Sequence, residues 1–179
     1  MIAPPDKATL VKEAETFLAA NPDVTHVTLI NTDLCGVQRG KLLTRAELLP
    51  AFKNGRFMAC SAMSMDITGR DVEETGMIFD TGDADRVVWP VPGTLKRIPW
   101  GSEPAAQYLG AFHELDGEGC ITDPRNALAR VVARFAELKL KPVAAVELEF
   151  YLLDRDSALA GKPKPPTGLT VPMPQRHYG

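Results

Sequence analysis

Cysteine is scarce in this chain. Cys35, Cys60 and Cys120 are the only three in 179 residues, they lie far apart, and no C-x-x-C pair occurs. An odd, scattered set excludes a disulfide framework and points to reduced thiols of a cytosolic protein, serving as small core residues. With His26, His113 and His177 they form no zinc-type spacing, so a structural zinc site is excluded as well. No apolar run approaches the ~20 residues that cross a bilayer. Residues 1–7 hold no apolar stretch of signal-peptide type, and a cytoplasmic location is expected. Neither sign of charge dominates: 20 Lys and Arg face 23 Asp and Glu, for a net charge of −3. The basic residues do not cluster, which argues against nucleic acid or an acidic membrane surface as the main partner. Neither a P-loop nor G-x-G-x-x-G occurs, so a nucleotide, if used, is not held by those glycine loops. There are no internal repeats.

What remains is ordinary globular composition, 45% hydrophobic and 24% charged. The length suits one domain, or one domain and part of another. Leu10, Val11, Ala14, Phe17 and Leu18 share a helical face that ends near Asn21-Pro22. Val24–Asp33 reads as a strand, residues 33–36 as a turn, and Val37–Leu43 as the returning strand of a hairpin. Thr44 and Glu47 predict a capping box for a short helix through Leu48, Leu49 and Phe52, closed by Gly55. Another strand is predicted over Arg56–Ala62. Residues 63–85 are polar and glycine-punctuated, and Asp80, Asp83 and Asp85 add acid. Such a loop is either a solvated acidic surface or functional. Val87–Pro92 is apolar but proline-broken and predicts an edge strand or an extended segment. Tyr108–Leu115 predicts one more, followed by a turn at residues 117–119. Asp123-Pro124 then opens a helix whose predicted buried stripe is Ala127, Leu128, Val131, Val132, Phe135 and Leu138.

In the stretch Val146-Glu147-Leu148-Glu149-Phe150-Tyr151-Leu152 two carboxylates alternate with apolar residues. As a strand it puts Glu147 and Glu149 on one face, with Cα atoms roughly 6.6–7 Å apart, and Val146, Leu148, Phe150 and Leu152 on the other. Adjacent like charges repel and call for a compensating cation, and hard divalent ions take carboxylate oxygens. Two readings are open: half of a metal site, or a solvated Glu pair on a half-exposed edge strand.

Seven short motifs occur in a particular order. They are Gly36-x-x-Arg39-Gly40-Lys41, Met65-Asp66, Gly82-Asp83-Ala84-Asp85, Pro90-Val91-Pro92-Gly93-Thr94, Ile98-Pro99-Trp100, Thr122-Asp123-Pro124-Arg125 and Glu147-Leu148-Glu149-Phe150. Over residues 24–154 this order resembles the N-terminal part of the type I-like glutamine synthetase family, nearest its γ-glutamylpolyamine and γ-glutamylamine synthetase-like branch. The resemblance implies an α+β fold: a β-grasp N-terminal domain over residues 1–119, then the start of an α/β catalytic domain, helix plus strand, over residues 120–179. It also implies an ATP-dependent ligase that joins glutamate to ammonia or a primary amine by way of γ-glutamyl phosphate. Mg²⁺ or Mn²⁺ is the implied metal, ATP the co-substrate, and a homo-oligomeric ring with active sites between subunits the implied assembly.

Carried over by position, Glu147 and Glu149 match metal-binding glutamates. Asp66 matches a loop aspartate that reaches the neighbouring subunit's site and receives the incoming amine as a general base. Ammonia-using members have Asp-Gly-Ser-Ser there, whereas this chain has Asp66-Ile67-Thr68-Gly69, which favours a bulkier amine. Asp85 matches an acidic family position to which no catalytic role is assigned. No nucleotide-binding residue is assigned, because the family's remaining ligands lie beyond residue 179. The chain is therefore expected to be an N-terminal portion, inactive by itself. The competing reading is a non-catalytic assembly or regulatory module derived from the same family.

Overall fold

The computed structural model describes residues 6–78, 80 and 82–166. Residues 1–5 and the Met-Pro segment of the tail lie outside the described residues. The first helix, α1 (Lys7–Ala20), starts where Asp6 accepts hydrogen bonds from the Ala8 and Thr9 N–H groups at 3.4 and 3.0 Å. Those bonds satisfy two of the donors that a helix start leaves free. Leu10 and Ala14 are fully buried, with Phe17 and Leu18 packed beside them.

Strands β1 (His26–Thr32) and β2 (Gln38–Thr44) form the predicted antiparallel hairpin. Gly40 is required there by crowding, since a Cβ would overlap the Leu29 carbonyl. Helix α2 (Arg45–Asn54) opens as expected: Glu47 accepts from the Thr44 N–H at 2.9 Å. Gly55 closes it with φ at 72°, a conformation that glycine adopts at little cost. Phe52 meets Tyr108 edge-to-face at 5.0 Å in the core.

Two strand expectations need correction. Strand β3 covers only Arg56–Ala59, and Cys60–Met63 is a 3₁₀ turn. Its partner β4 (Asp85–Pro90) pairs from Val88 back to Asp85, so nothing is left for residues 60–62 to pair with. Nor is β4 an edge strand: it lies between β3 and β6. Pro90 is tolerated because it sits at the strand's last position, past the end of β3, where no neighbour on that side needs an N–H.

The two-residue strand β5 (Lys96–Arg97), which the sequence reading lacked, pairs with β6. Strand β6 (Ala105–His113) is the centre of the sheet, parallel to β1 and antiparallel to β4 and β5. The main order is β2-β1-β6-β4-β3. The apolar core is built from α1, α2 and the strands, with Val27, Leu29, Val88, Ala106 and Phe112 among its buried members.

Helix α3 (Pro124–Glu137) begins as expected at Asp123 and Pro124. Asp123 is buried and ties the helix to the sheet: one oxygen accepts from the Arg125 and Asn126 N–H groups, the other from the Phe112 N–H at 2.7 Å. Asn126 returns two bonds, to the Phe112 and Cys120 carbonyls. The predicted buried stripe is not buried, however. Leu128 and Leu138 are 65% and 70% exposed, and Val131, Val132 and Phe135 are also open. The amphipathic pattern is present without a covering layer among the described residues.

The chain forms two compact units, Met1–Pro142 and Val143–Gly179. In the second, residues 143–153 pair with no strand among the described residues, so the predicted Glu-x-Glu strand is not formed. Val146, Leu148, Phe150 and Leu152, the predicted buried face, are 64–87% exposed. Alternation encodes two faces, but a ladder also needs a neighbour to pair with. A short helix, α4 (Arg155–Leu159), follows, capped by Asp154. Among the described residues no helix is long and apolar enough to cross a membrane.

Candidate functional site

Asp66 stands in a small loop closed by a bridge between Met65 and Asp71. Its Oδ1 accepts three hydrogen bonds: from the Thr68 N–H and hydroxyl, both at 2.7 Å, and from the Arg70 N–H at 3.0 Å. Gly69, at φ 85°, completes the turn and donates its N–H to the Asp66 carbonyl at 3.0 Å. The Thr68 hydroxyl, followed by the Arg70 N–H, holds the Asp66 carboxyl below the usual carboxylate range. Oδ2 has no partner among the described residues. The arrangement is thus an ionised surface carboxylate with one oxygen fixed by its own loop and the other uncommitted. Such a group can accept hydrogen bonds from an amine or an ammonium ion.

The loop is tied to the sheet through Arg39, a residue that the sequence marks only as part of the Gly36-x-x-Arg39-Gly40-Lys41 motif. Its Nε contacts Asp33 at 2.9 Å, and its Nη2 donates to the Asp66 carbonyl at 2.9 Å. Asp33 is buried. Burial raises its pKa, but hydrogen bonds from Arg39 and from the Val37 and Cys35 N–H groups outweigh burial and hold it low. The spacing Asp33-x-x-Gly36-x-x-Arg39 carries this signal in the sequence: a turn aspartate followed by an arginine on the returning strand.

Glu147 and Glu149 lie in the second unit and Asp66 in the first. Both glutamates are exposed in a segment without regular secondary structure, and no hydrogen bond or ion pair engages either one among the described residues. No group of three or more His, Cys, Asp or Glu side chains converges among those residues. Asp85 is exposed at the start of β4, opposite Ala59. Asp83 holds a positive φ of 50°, and its N–H donates to the Ile78 carbonyl. Of the cysteines, Cys60 and Cys120 are buried as expected, whereas Cys35 is exposed, a correction to the core role read for all three.

Residues 121–177 match the family model described as the glutamine synthetase catalytic domain. Gamma-glutamylputrescine synthetase PuuA of Escherichia coli K12 is 35% identical over 89% of this chain and 34% of its own. A glutamate–isopropylamine ligase of a Pseudomonas species is 33% identical over 83% of this chain and 32% of its own. A solved GmaS–ADP complex aligns with a TM-score of 0.52 at 26% identity, over 69% of this chain and 25% of that one. A mixed α+β chain with these matches is a relative of the glutamine synthetases. Among them it resembles proteins named for ligating glutamate to amines. The chain spans about a third of the length of the curated relatives it matches.

Proposed function

We propose that the chain is the N-terminal part of an ATP-dependent ligase that joins glutamate to ammonia or a primary amine, forming a γ-glutamyl amide through γ-glutamyl phosphate. The observation that carries the reading is the Asp66 loop: an ionised, pre-positioned carboxylate with one free oxygen. In this reading Asp66 receives the amine. Its lowered pKa suits holding a cationic amine more than stripping a proton from a neutral one. Ile67, 74% exposed beside it, presents apolar surface suited to an amine with a carbon chain. The two amine-ligase names among the relatives support the same preference.

The proposal includes a β-grasp domain over residues 1–119 and the start of the catalytic domain over 120–179. A catalytic-domain match beginning at residue 121 supports that boundary. Glu147 and Glu149 would hold Mg²⁺ or Mn²⁺. The donor chemistry fits, since both are uncommitted carboxylates two residues apart, and hard cations take six or more oxygens, so further ligands come from elsewhere. Bound metal would offset negative charge on the transferring phosphoryl group. ATP and glutamate are the other proposed partners, a ring of identical subunits the assembly, and the cytoplasm the location.

The test is Asp66→Asn in the whole protein. Asn keeps an oxygen to accept the same three loop hydrogen bonds, so the turn survives while the charge is lost. Positional isotope exchange in ATP, which reports phosphorylation of the acid, is expected to stay near wild type. Amide formation is expected to fall, because the charge that holds the amine is gone. Equal loss of both steps would remove Asp66 from the amine site.

A further inference from the structure

The two buried cysteines are brought together from positions 60 residues apart, with their sulfurs at 3.8 Å. Cys60 opens the 3₁₀ turn that leads toward the Asp66 loop, and Cys120 stands three residues before the Asp123 cap of α3. The Thr122 hydroxyl lies 3.2 Å from the Cys120 sulfur and 3.7 Å from that of Cys60. A disulfide is about 2.05 Å long, so each sulfur must travel only roughly 0.9 Å to form one.

We propose that Cys60 and Cys120 form a reversible disulfide when the protein meets a peroxide. The polarity of the pair suits the chemistry. Either sulfur can donate to the other; with Cys120 donating, the bond holds the Cys60 thiol below the ordinary thiol range and raises that of Cys120. Cys60 is also the more accessible of the two, at 7% against 2%. Its thiolate attacks one peroxide oxygen. The O–O bond breaks, hydroxide leaves, and a sulfenic acid forms on Cys60. The Cys120 sulfur then attacks the Cys60 sulfur. The S–S bond forms, the S–O bond breaks, and the departing hydroxyl takes the Cys120 proton away as water. Peroxide is reduced to water as the two thiols lose two electrons. The product staples the turn before the Asp66 loop to the segment that starts α3. A dithiol reductant reverses it.

The whole protein is treated with hydrogen peroxide, its remaining thiols are alkylated under denaturing conditions, and its peptides are mapped without reduction. Exposed Cys35 serves as an internal control for reactivity. The expected result is one crosslinked peptide pair, lighter by two hydrogens, that contains Cys60 and Cys120. Dithiothreitol should restore alkylation of both. In Cys60→Ser the crosslink should vanish and Cys120 should become alkylatable. The proposal is overturned if Cys60 and Cys120 both remain alkylatable at peroxide levels that oxidise Cys35, or if Cys35 bridges to either of them. The wild-type map decides the matter even if the variant folds poorly.

Discussion

Replacing Asp123 by alanine removes three hydrogen bonds from a buried junction. Two are the cap of α3, made with the Arg125 and Asn126 N–H groups, and the third satisfies the Phe112 N–H in the central strand. Loss of an N-cap costs about 1 kcal/mol, within a range of about 0.5–2. A buried N–H left without a partner costs about 1–3 kcal/mol more. The sum is roughly 2–4 kcal/mol, a large share of the ~5–15 kcal/mol that holds a typical domain folded. Urea denaturation of the variant should show a lowered midpoint at unchanged slope. Asp123→Asn separates the two contributions: its single oxygen can serve either the helix cap or the Phe112 N–H, so its loss should be intermediate. If Asp123→Ala costs less than about 0.5 kcal/mol, α3 is not anchored to β6 as described.

Gly40→Ala should lower the melting temperature and cost at least ~2 kcal/mol, because the new methyl group meets the Leu29 carbonyl, a backbone atom that cannot swing aside. A melting temperature equal to wild type would mean the hairpin is looser than it is drawn. Asp33 stabilises the fold only when ionised. Its folded pKa is lowered, so that stabilisation is present above the unfolded value near ~3.9 and is lost as pH falls through the lower folded value. Asp33→Asn should therefore be less stable than wild type at pH 7 and converge with it in acid; a gap that stays constant with pH would refute the assignment. In the whole protein, Glu149→Ala should depress metal-dependent ligation while leaving the melting temperature nearly unchanged, since the side chain is exposed and unpartnered. Normal turnover with normal metal dependence would remove Glu149 from the metal site.

Local signals were read well where the cause was local. The Thr44–Glu47 box, the Gly55 stop, the Asp123-Pro124 start and the β1–β2 hairpin each depend on residues a few positions apart, and each is found. Failures came where the cause was remote. Residues 60–62 alternate like a strand, but β4 begins too late to pair with them. Pro90 marks an edge in isolation, yet the short reach of β3 lets it sit at the end of an interior strand. The stripe on α3 and the face of Val146, Leu148, Phe150 and Leu152 are legible as apolar surfaces, and nothing in either pattern says what covers them. At the candidate site, the identity of Asp66 came from resemblance. Its fixed oxygen and its tether through Arg39 to Asp33 needed coordinates.

Strand β6 also governs the order in which the chain can be assembled. It pairs in parallel with β1, and the partners stand 79 residues apart. The hairpin and α2 can form as soon as they leave the ribosome, but one edge of β1 stays unpaired until residues 105–109 emerge. For that interval a strand rich in Val, Leu and Ile is open to any other strand, including the same one on a neighbouring nascent chain. Closing so long a loop also makes folding slow for a chain of this size. Yield from a cell should therefore depend on synthesis rate and temperature more steeply than the finished fold's stability would suggest.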